Sequence, residues 1–137
     1  MKEKILLIDD DKAVLKSLEI LLKKAEYDVI ATNDSLKAVD IAASDYEFDL
    51  VITDVRMPEQ DGIETIKKIR AEQSKKGKLK SEFMVITGYA DDDAPKESAM
   101  LGITTFVIKP FDSDIFLEAV QNCLEGKKGE LPKTVEL

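Results

Sequence analysis

The 137-residue sequence contains no histidine and no tryptophan, and Cys123 is its single cysteine. Without histidine, the chain cannot use Ser-His-Asp or Cys-His catalysis, and it lacks the commonest ligand of transition metals. It cannot carry a phosphohistidine either. A lone cysteine excludes an internal disulfide and is consistent with a reducing cytosol. Any chemistry must therefore use carboxylates, hydroxyls, lysine or a hard cation.

Positive charge and long apolar runs are also scarce. The chain has 20 basic and 28 acidic residues, a net charge of −8, which disfavours direct binding to nucleic acid or to an anionic membrane. No apolar run approaches the roughly 20 residues that span a bilayer. The start of the chain leads into only four apolar residues, too few for a secretory signal. We therefore predict a cytoplasmic protein.

Five short apolar runs alternate with stretches of helical periodicity. Each run is continuous rather than alternating, which is typical of a strand that is buried on both faces of a parallel sheet. Strands are predicted at about 5–8, 27–31, 50–52, 83–86 and 104–108. The pattern predicts an α/β fold of (βα)5 type with one doubly wound parallel sheet, and right-handed crossovers are assumed.

Apolar stripes with helical spacing occupy the intervals between the strands. They cover about 13–25, 36–43, 63–72 and 115–124, and a short helix is predicted between the capping residues 91–93 and Gly102. The lysine-rich segment 73–80 is predicted to be a solvated loop. Residues 1–125 are predicted to form one domain, and residues 126–137 a tail or the start of a linker.

Polar groups follow four of the five predicted strands directly. They are Asp9 with Asp10, Asp54, Thr87 and Lys109. Because ligands bind outside the carboxyl ends of the strands in such a sheet, we expect these groups to lie together. Three close carboxylates repel one another unless a cation is present, and Mg²⁺ prefers oxygen ligands and accepts phosphate oxygens. Asp54, on a central strand, is the best candidate for a nucleophile.

Taken together and in order, these motifs resemble the receiver domain of two-component response regulators, of the single-domain CheY-like type. The resemblance spans about residues 3–125. It rests on Ile8-Asp9-Asp10, on Asp54 followed by Met57-Pro58 and Asp61-Gly62, on Thr87-Gly88, and on the run from Phe106 to Phe111 that contains Lys109-Pro110.

The resemblance implies a flavodoxin-like sheet with strand order 2-1-3-4-5. It implies that Asp54 accepts a phosphoryl group from the phosphohistidine of a sensor histidine kinase or a histidine phosphotransfer protein. Mg²⁺ would be held by Asp10, Asp54 and the backbone carbonyl of Arg56, with Asp9 acting mainly through water. A cis peptide bond before Pro110 is implied too. Such a domain is a signalling phosphoacceptor rather than an enzyme, although it assists its own phosphorylation and dephosphorylation.

The resemblance also implies a switch. Thr87 would donate a hydrogen bond to the phosphoryl group beside the Lys109 ammonium, and Phe106 would turn inward into the space that Thr87 leaves. This would remodel the face made by the fourth helix, the fifth strand and the fifth helix, where a partner protein or an output domain would bind. Arg56 and Tyr89 stand at positions that tune the lifetime of the phosphate, and their bulk predicts slowed hydrolysis.

Two other functions stay open from the sequence. A small Mg²⁺-dependent phosphatase would use the aspartate after the first strand, Asp9, as its nucleophile. An interaction module that keeps the fold without being phosphorylated would tolerate the loss of Asp54. The sequence also leaves open whether the domain acts alone on a downstream protein target or is the receiver of a longer regulator.

Overall fold

A computed structural model of the chain describes residues 2–77, 81–88, 93–103 and 105–125. Five strands form one sheet in the order β2-β1-β3-β4-β5, and every neighbouring pair is parallel. This confirms the predicted fold class and the strand order. The strands are β1 (Lys4–Ile8), β2 (Asp28–Thr32), β3 (Leu50–Asp54), β4 (Glu82–Thr87) and β5 (Thr105–Ile108).

In the described part of the chain, four helices connect successive strands and a fifth follows β5, and together they cover both faces of the sheet. They are α1 (Lys12–Lys24), α2 (Ser35–Ala43), α3 (Gly62–Lys75), α4 (Ala94–Met100) and α5 (Ser113–Glu125). One buried cluster joins alternate strand residues to α1 and α5, and a second joins the residues between them to α2 and α3. Among the described residues, no helix has the length and apolar character needed to cross a membrane.

Aspartate side chains begin four of the helices. Asp11, Asp34 and Asp61 each accept hydrogen bonds from backbone N–H groups of the first turn of α1, α2 and α3. Before α5, Asp112 Oδ1 accepts a hydrogen bond from the Ile115 N–H at 2.9 Å. Asp93 precedes α4 without a side-chain cap bond, and Asp91 and Asp92 lie outside the described residues. These caps supply acceptors for N–H groups that have no partner inside a helix.

The predicted loop at 73–80 is wrong in its first part. Helix α3 continues to Lys75, so Gln73, Ser74 and Lys75 are helical. The reason is the Gln73 side chain, which is only 5% exposed and donates from Nε2 to Ser81 Oγ at 2.7 Å. The helix was predicted from its apolar stripe, and a polar residue that is buried through a hydrogen bond is not part of such a stripe. The predicted helix therefore ended too early. Residues 78–80 and 126–137 lie outside the described residues.

Arg70 joins α3 to the far end of α4. Its NH1 donates to the Leu101 carbonyl at 2.6 Å, and its guanidinium carbon lies 5.0 Å from the centroid of the Phe83 ring. A cation over an aromatic face is attracted by the quadrupole of the ring. The end of the short helix α4 is therefore attached to the central layer by one side chain.

Cys123 lies inside the first cluster. It is 5% exposed, and its thiol faces the Phe83 carbonyl at 3.8 Å. The predicted burial on one face of α5 is confirmed.

Candidate functional site

Three carboxylates meet where β1 and β3 end side by side. Oxygen atoms of Asp9, Asp10 and Asp54 all lie within 4.8 Å of one another. Asp9 is completely buried and Asp54 is 8% exposed, whereas Asp10 is more accessible. The adjacency of β1 and β3 brings them together, because Ile8 pairs with Thr53 and the next residue in each segment of the chain is an aspartate.

Lys109 faces the two buried carboxylates from the end of β5. Its Nζ lies 3.4 Å from Asp54 Oδ2 and 3.5 Å from Asp9 Oδ2. The backbone holds it in place, since the Lys109 N–H donates to the Thr87 carbonyl at 2.8 Å. The Lys109–Pro110 peptide bond is cis, as the resemblance implied. The cluster therefore contains one compact cation against three acidic groups.

Each buried carboxylate has one oxygen that accepts a backbone hydrogen bond. Asp9 Oδ1 accepts from the Asp11 N–H at 3.0 Å, and Asp54 Oδ1 accepts from the Val55 N–H at 2.9 Å. Asp9 Oδ2 is buried and has no hydrogen-bond partner among the described residues, although the Lys109 ammonium lies near it. A buried oxygen with spare capacity, next to two further carboxylates, suits a hard divalent cation and its water ligands.

Burial and mutual repulsion change the acidity of the cluster. Burial raises the pKa of Asp54 to about 6, the Asp9 charge adds to the rise, and Lys109 opposes it. Burial also raises the pKa of Asp9, against the Asp11 hydrogen bond and the Lys109 charge. For Lys109, burial alone lowers the pKa, but attraction by Asp54 and Asp9 outweighs burial, so its pKa is raised. Lysine is therefore charged at neutral pH, and negative charge at the carboxylates is costly.

Thr87 and Phe106 lie on the other side of Asp54. Thr87 ends β4, is 2% exposed, and its hydroxyl donates to the Gly88 carbonyl at 3.0 Å. Phe106 is half-buried on β5 and packs against the second core cluster. Space around Gly88 is open, because a Cβ built there would meet nothing within 4 Å. Tyr89, which the sequence placed beside this site, lies outside the described residues.

The Arg56 guanidinium lies near two acidic side chains, one in the loop after β3 and one on α4. Its NH1 lies 3.8 Å from Asp61 Oδ2 and its NH2 lies 3.7 Å from Glu97 Oε1 on α4. Half of the arginine side chain is exposed, so each of these ion pairs is weak. Glu97 was missed by the sequence reasoning, since a glutamate in a polar helix turn carries no signal of its partner.

Gly62 closes the loop after β3 more tightly than a turn requires. A Cβ built on it would overlap the Asp54 carbonyl oxygen. The Gly62 N–H donates to the Val55 carbonyl at 2.7 Å. The sequence marked Asp61-Gly62 as a turn, but the close approach to the backbone of Asp54 was not predictable from it.

Residues 5–121 match the family model of the response regulator receiver domain. The chain belongs to this family. As a receiver domain of two-component response regulators, it is a signalling domain, and such domains typically bind Mg²⁺ at an acidic cluster. The transcriptional regulatory protein FixJ of Bradyrhizobium diazoefficiens is 34% identical over 123 residues, which are 90% of this chain and 57% of FixJ. The receiver thus spans about half the length of this relative.

Further relatives and solved structures agree with the family. The cell cycle transcriptional regulator CtrA of Caulobacter vibrioides is 24% identical over 133 residues, 97% of this receiver and 55% of CtrA. The crystal structure of FixJ-N has a TM-score of 0.80 at 24% identity and covers 93% of this chain and 97% of its own. A chemotaxis response regulator of Vibrio cholerae, CheY4, has a TM-score of 0.78 at 25% identity, with 90% and 100% covered.

Proposed function

We propose that this receiver accepts a phosphoryl group on Asp54 from the phosphohistidine of a sensor histidine kinase or a histidine phosphotransfer protein. The observation that carries the proposal is the surroundings of the Asp54 carboxylate. Its Oδ2 lies 3.4 Å from Lys109 Nζ, and oxygens of Asp9 and Asp10 lie within 4.8 Å. A phosphoryl group on Asp54 would thus meet an ammonium group on one side and a cation-binding set of carboxylates on the other.

The transfer is a displacement at phosphorus. An Asp54 oxygen attacks the phosphorus, a P–O bond forms, the P–N bond to the imidazole breaks, and the imidazole leaves with a proton from solvent. The attacking carboxylate must be ionised. With a pKa of about 6, Asp54 is mostly ionised at pH 7 and above even before a cation binds. Lys109 offsets part of the charge that gathers on the phosphoryl oxygens.

We assign Asp10, Asp54 and the backbone carbonyl of Arg56 as ligands of Mg²⁺, with Asp9 acting mainly through water. The spare, buried Oδ2 of Asp9 supports this assignment. When bound, Mg²⁺ supplies charge neutralisation for the phosphoryl group in transit. Asp9 and Asp10 contribute carboxylate groups to this site because they directly follow the end of β1.

The response to phosphorylation starts at Thr87. Its hydroxyl gives up the Gly88 carbonyl, 3.0 Å away, and donates to a phosphoryl oxygen instead. Phe106, which is half-buried, turns further inward. The face of α4, β5 and α5 then changes shape, and a downstream protein or an output domain in the same polypeptide binds it. Residues 1–125 form the receiver, and residues 126–137 form a tail or the start of a linker.

The side chains of Arg56 and Tyr89 slow the loss of the phosphate. Arg56 lies two residues after the acceptor, and its guanidinium lies near Asp61 in the loop and Glu97 on α4, which supports this role. An Arg56→Ala, Tyr89→Ala double variant should lose its phosphate faster than the wild type. An unchanged half-life, measured after removal of the phosphodonor, would contradict this role.

The proposal is tested with acetyl phosphate and Mg²⁺, followed by intact-mass spectrometry. The wild type should gain one phosphoryl group, and Asp54→Asn should gain none. A matched control is Asp49→Asn, which removes an exposed aspartate that accepts a backbone hydrogen bond from Lys4 at the opposite end of the sheet. This control should be phosphorylated like the wild type. Equal labelling of Asp54→Asn and the wild type would refute the proposal.

Turnover of acetyl phosphate tests the first alternative, and signalling by Asp54→Asn tests the second. A phosphatase with Asp9 as its nucleophile would turn over acetyl phosphate and lose turnover in Asp9→Asn. The burial of Asp9, which is complete, speaks against direct attack by it. A module that works without phosphorylation would keep its signalling in Asp54→Asn.

A further inference from the structure

A buried glutamine ties the loop after Asp54 to helix α2. Gln60 lies in the loop between β3 and α3 and is 6% exposed. Its Nε2 donates to Thr65 Oγ1 at 3.0 Å and to the backbone carbonyl of Ser35 at 3.3 Å. Thr65 Oγ1 in turn donates to the Asp61 carbonyl at 2.8 Å. One amide therefore joins the loop, the first turn of α3 and the first turn of α2.

Packing alone does not require an amide at this position. An apolar side chain of similar size would fill the same space without the cost of burying polar atoms. Gln60 Oε1 even lacks a hydrogen-bond partner among the described residues, which adds to that cost. What the amide contributes is direction, because a hydrogen bond fixes both distance and angle where an apolar contact fixes neither closely.

The loop that Gln60 holds is stiff. The Gln60 N–H donates to the Pro58 carbonyl at 2.7 Å, and the Gly62 N–H donates to the Val55 carbonyl at the same distance. Glu59 has a φ of 68°, a left-handed conformation that a turn this tight requires. A displacement at Gln60 therefore moves the whole loop, including the carbonyl of Arg56, rather than being absorbed locally.

The tie to α2 runs beside the carboxylate cluster. A crevice of about 210 Å³ separates the loop from the ends of β1 and β2. Asp10 and residues 33–35 line one side of it, and residues 57–59 line the other. The Ser35 carbonyl stands on the first side and Gln60 directly follows the second. The hydrogen bond between them thus holds the two sides of the crevice in register.

We propose that Gln60 is a positioning residue for the cation. By holding the β3–α3 loop against α2, it sets where the Arg56 carbonyl stands relative to Asp10, and so it sets the affinity for Mg²⁺. This rests on the proposed function, since it uses the ligands proposed there. Removal of an outer hydrogen bond that orients a ligand typically weakens metal affinity about 10- to 100-fold.

The test variant is Gln60→Met, which keeps the volume and removes both hydrogen bonds. Titration calorimetry with Mg²⁺ should give a Kd about tenfold weaker than in the wild type. In phosphorylation by acetyl phosphate, the half-saturating Mg²⁺ concentration should rise by the same factor. The rate at saturating Mg²⁺ should change by less than about threefold, because the variant retains the side chains that take part in phosphoryl transfer.

Helix α3 offers a matched control at its other end. Gln73 is 5% exposed, its Nε2 donates to Ser81 Oγ at 2.7 Å, and its Oε1 also lacks a partner among the described residues. Gln73→Met removes a similar buried amide far from the carboxylates. Its free energy of unfolding in urea should change by about as much as that of Gln60→Met, and its Kd for Mg²⁺ should stay that of the wild type.

Two further variants keep the inference falsifiable if Gln60→Met does not fold. Thr65→Val has nearly the same shape, removes the shorter of the two bonds, and should weaken Mg²⁺ binding. Ser35→Ala keeps the bond to the backbone carbonyl and should bind Mg²⁺ like the wild type. If Gln60→Met, or Thr65→Val in its place, binds Mg²⁺ with the same Kd as Gln73→Met, the inference about Gln60 is overturned and the proposed function still stands. A wild type that binds no Mg²⁺ would overturn the proposed function with it.

Discussion

The two ends of the sheet hold buried polar groups in opposite conditions. At the amino end, Ser81 Oγ accepts from Gln73 and donates to the Phe48 carbonyl at 2.6 Å, so neutral groups satisfy one another except for Gln73 Oε1. At the carboxyl end, Asp9 and Asp54 carry charge while buried, and a single ammonium group serves both. The pKa of each carboxyl is raised, because burial makes the charged form of the carboxyl unfavourable.

The difference shows which end is built for stability and which for binding. A buried charge without full compensation destabilises a fold, and evolution keeps such groups where something else compensates them. At the amino end, neutral groups of the chain supply the hydrogen bonds, and Gln73 Oε1 is the exception among these groups. At the carboxyl end, a cation or a proton has to complete them.

The largest expected effect is that of Gly62→Ala. The new Cβ would collide with the backbone of Asp54, which cannot rotate away as a side chain can. We expect a loss of about 3 kcal/mol in the free energy of unfolding, measured in urea. Gly88→Ala is the control, since a Cβ there meets nothing within 4 Å, and it should change stability by less than about 1 kcal/mol. Equal losses would show that the carboxyl end is no more tightly built around Asp54 than around Gly88.

The next effect is a gain. In the absence of divalent cations, the free energy of unfolding of Asp54→Asn should be about 3 kcal/mol higher than that of the wild type at pH 7 to 8. The folded protein holds the Asp54 proton up to about pH 6, whereas an unfolded chain releases it near 3.8. The wild type therefore loses stability as pH rises through that window, and the loss persists above it. The variant has no carboxylate to ionise, so it avoids this loss.

The pH profile provides the check on this gain. Urea titrations between about pH 4 and pH 7 should show the difference between variant and wild type growing with pH. A difference that is constant across this range would mean that ionisation of Asp54 is not its cause.

Binding of Mg²⁺ should stabilise the wild type by about 1.4 kcal/mol at ten times its Kd. The physical reason is that the cation binds the folded carboxylate cluster and not the unfolded chain. Urea unfolding with and without Mg²⁺ measures the gain. Asp10→Asn should lose most of it, while Asp49→Asn should keep it. A gain that survives in Asp10→Asn would place the cation elsewhere.

The smallest effect belongs to Glu97→Gln. Its ion pair with Arg56 has an N–O distance of 3.7 Å and both side chains are close to half exposed, so water screens the attraction. The variant should lose less than about 0.5 kcal/mol of unfolding free energy in urea. A larger loss would show that this exposed pair supports the carboxyl end as firmly as the buried groups do.

Much of the fold was predictable because buried parallel strands have a clear pattern in the amino-acid sequence. Continuous apolar runs mark the strands, and the polar residue after each run marks the edge where the site forms, as with Ile8 before Asp9. The strand order came from the family resemblance. The end of α3 could not be predicted, because Gln73 is buried through a hydrogen bond to Ser81 rather than through apolar surface.

Apart from the ion pair of Glu97 with Arg56, the contacts that escaped prediction, in the site and beside it, involve backbone atoms. Gln60 bonds the Ser35 carbonyl, Arg70 bonds the Leu101 carbonyl, and Gly62 makes room for the Asp54 carbonyl. Every residue carries a carbonyl, so no residue type or spacing signals which one will be used. Burial raises the pKa values of Asp9 and Asp54, and this effect depends on tertiary packing rather than on neighbouring residues in the sequence.

The burial of Cys123 makes this chain convenient for optical work. Its thiol is buried next to the Phe83 carbonyl, so a thiol reagent should not react with it in the native state. A cysteine placed at Met100, whose side chain is 86% exposed on α4, would then be the preferred site for a fluorescent label. Because the chain has no tryptophan, one introduced elsewhere could quench or excite that label without competing signal. Movement of α4 could thus be followed in real time.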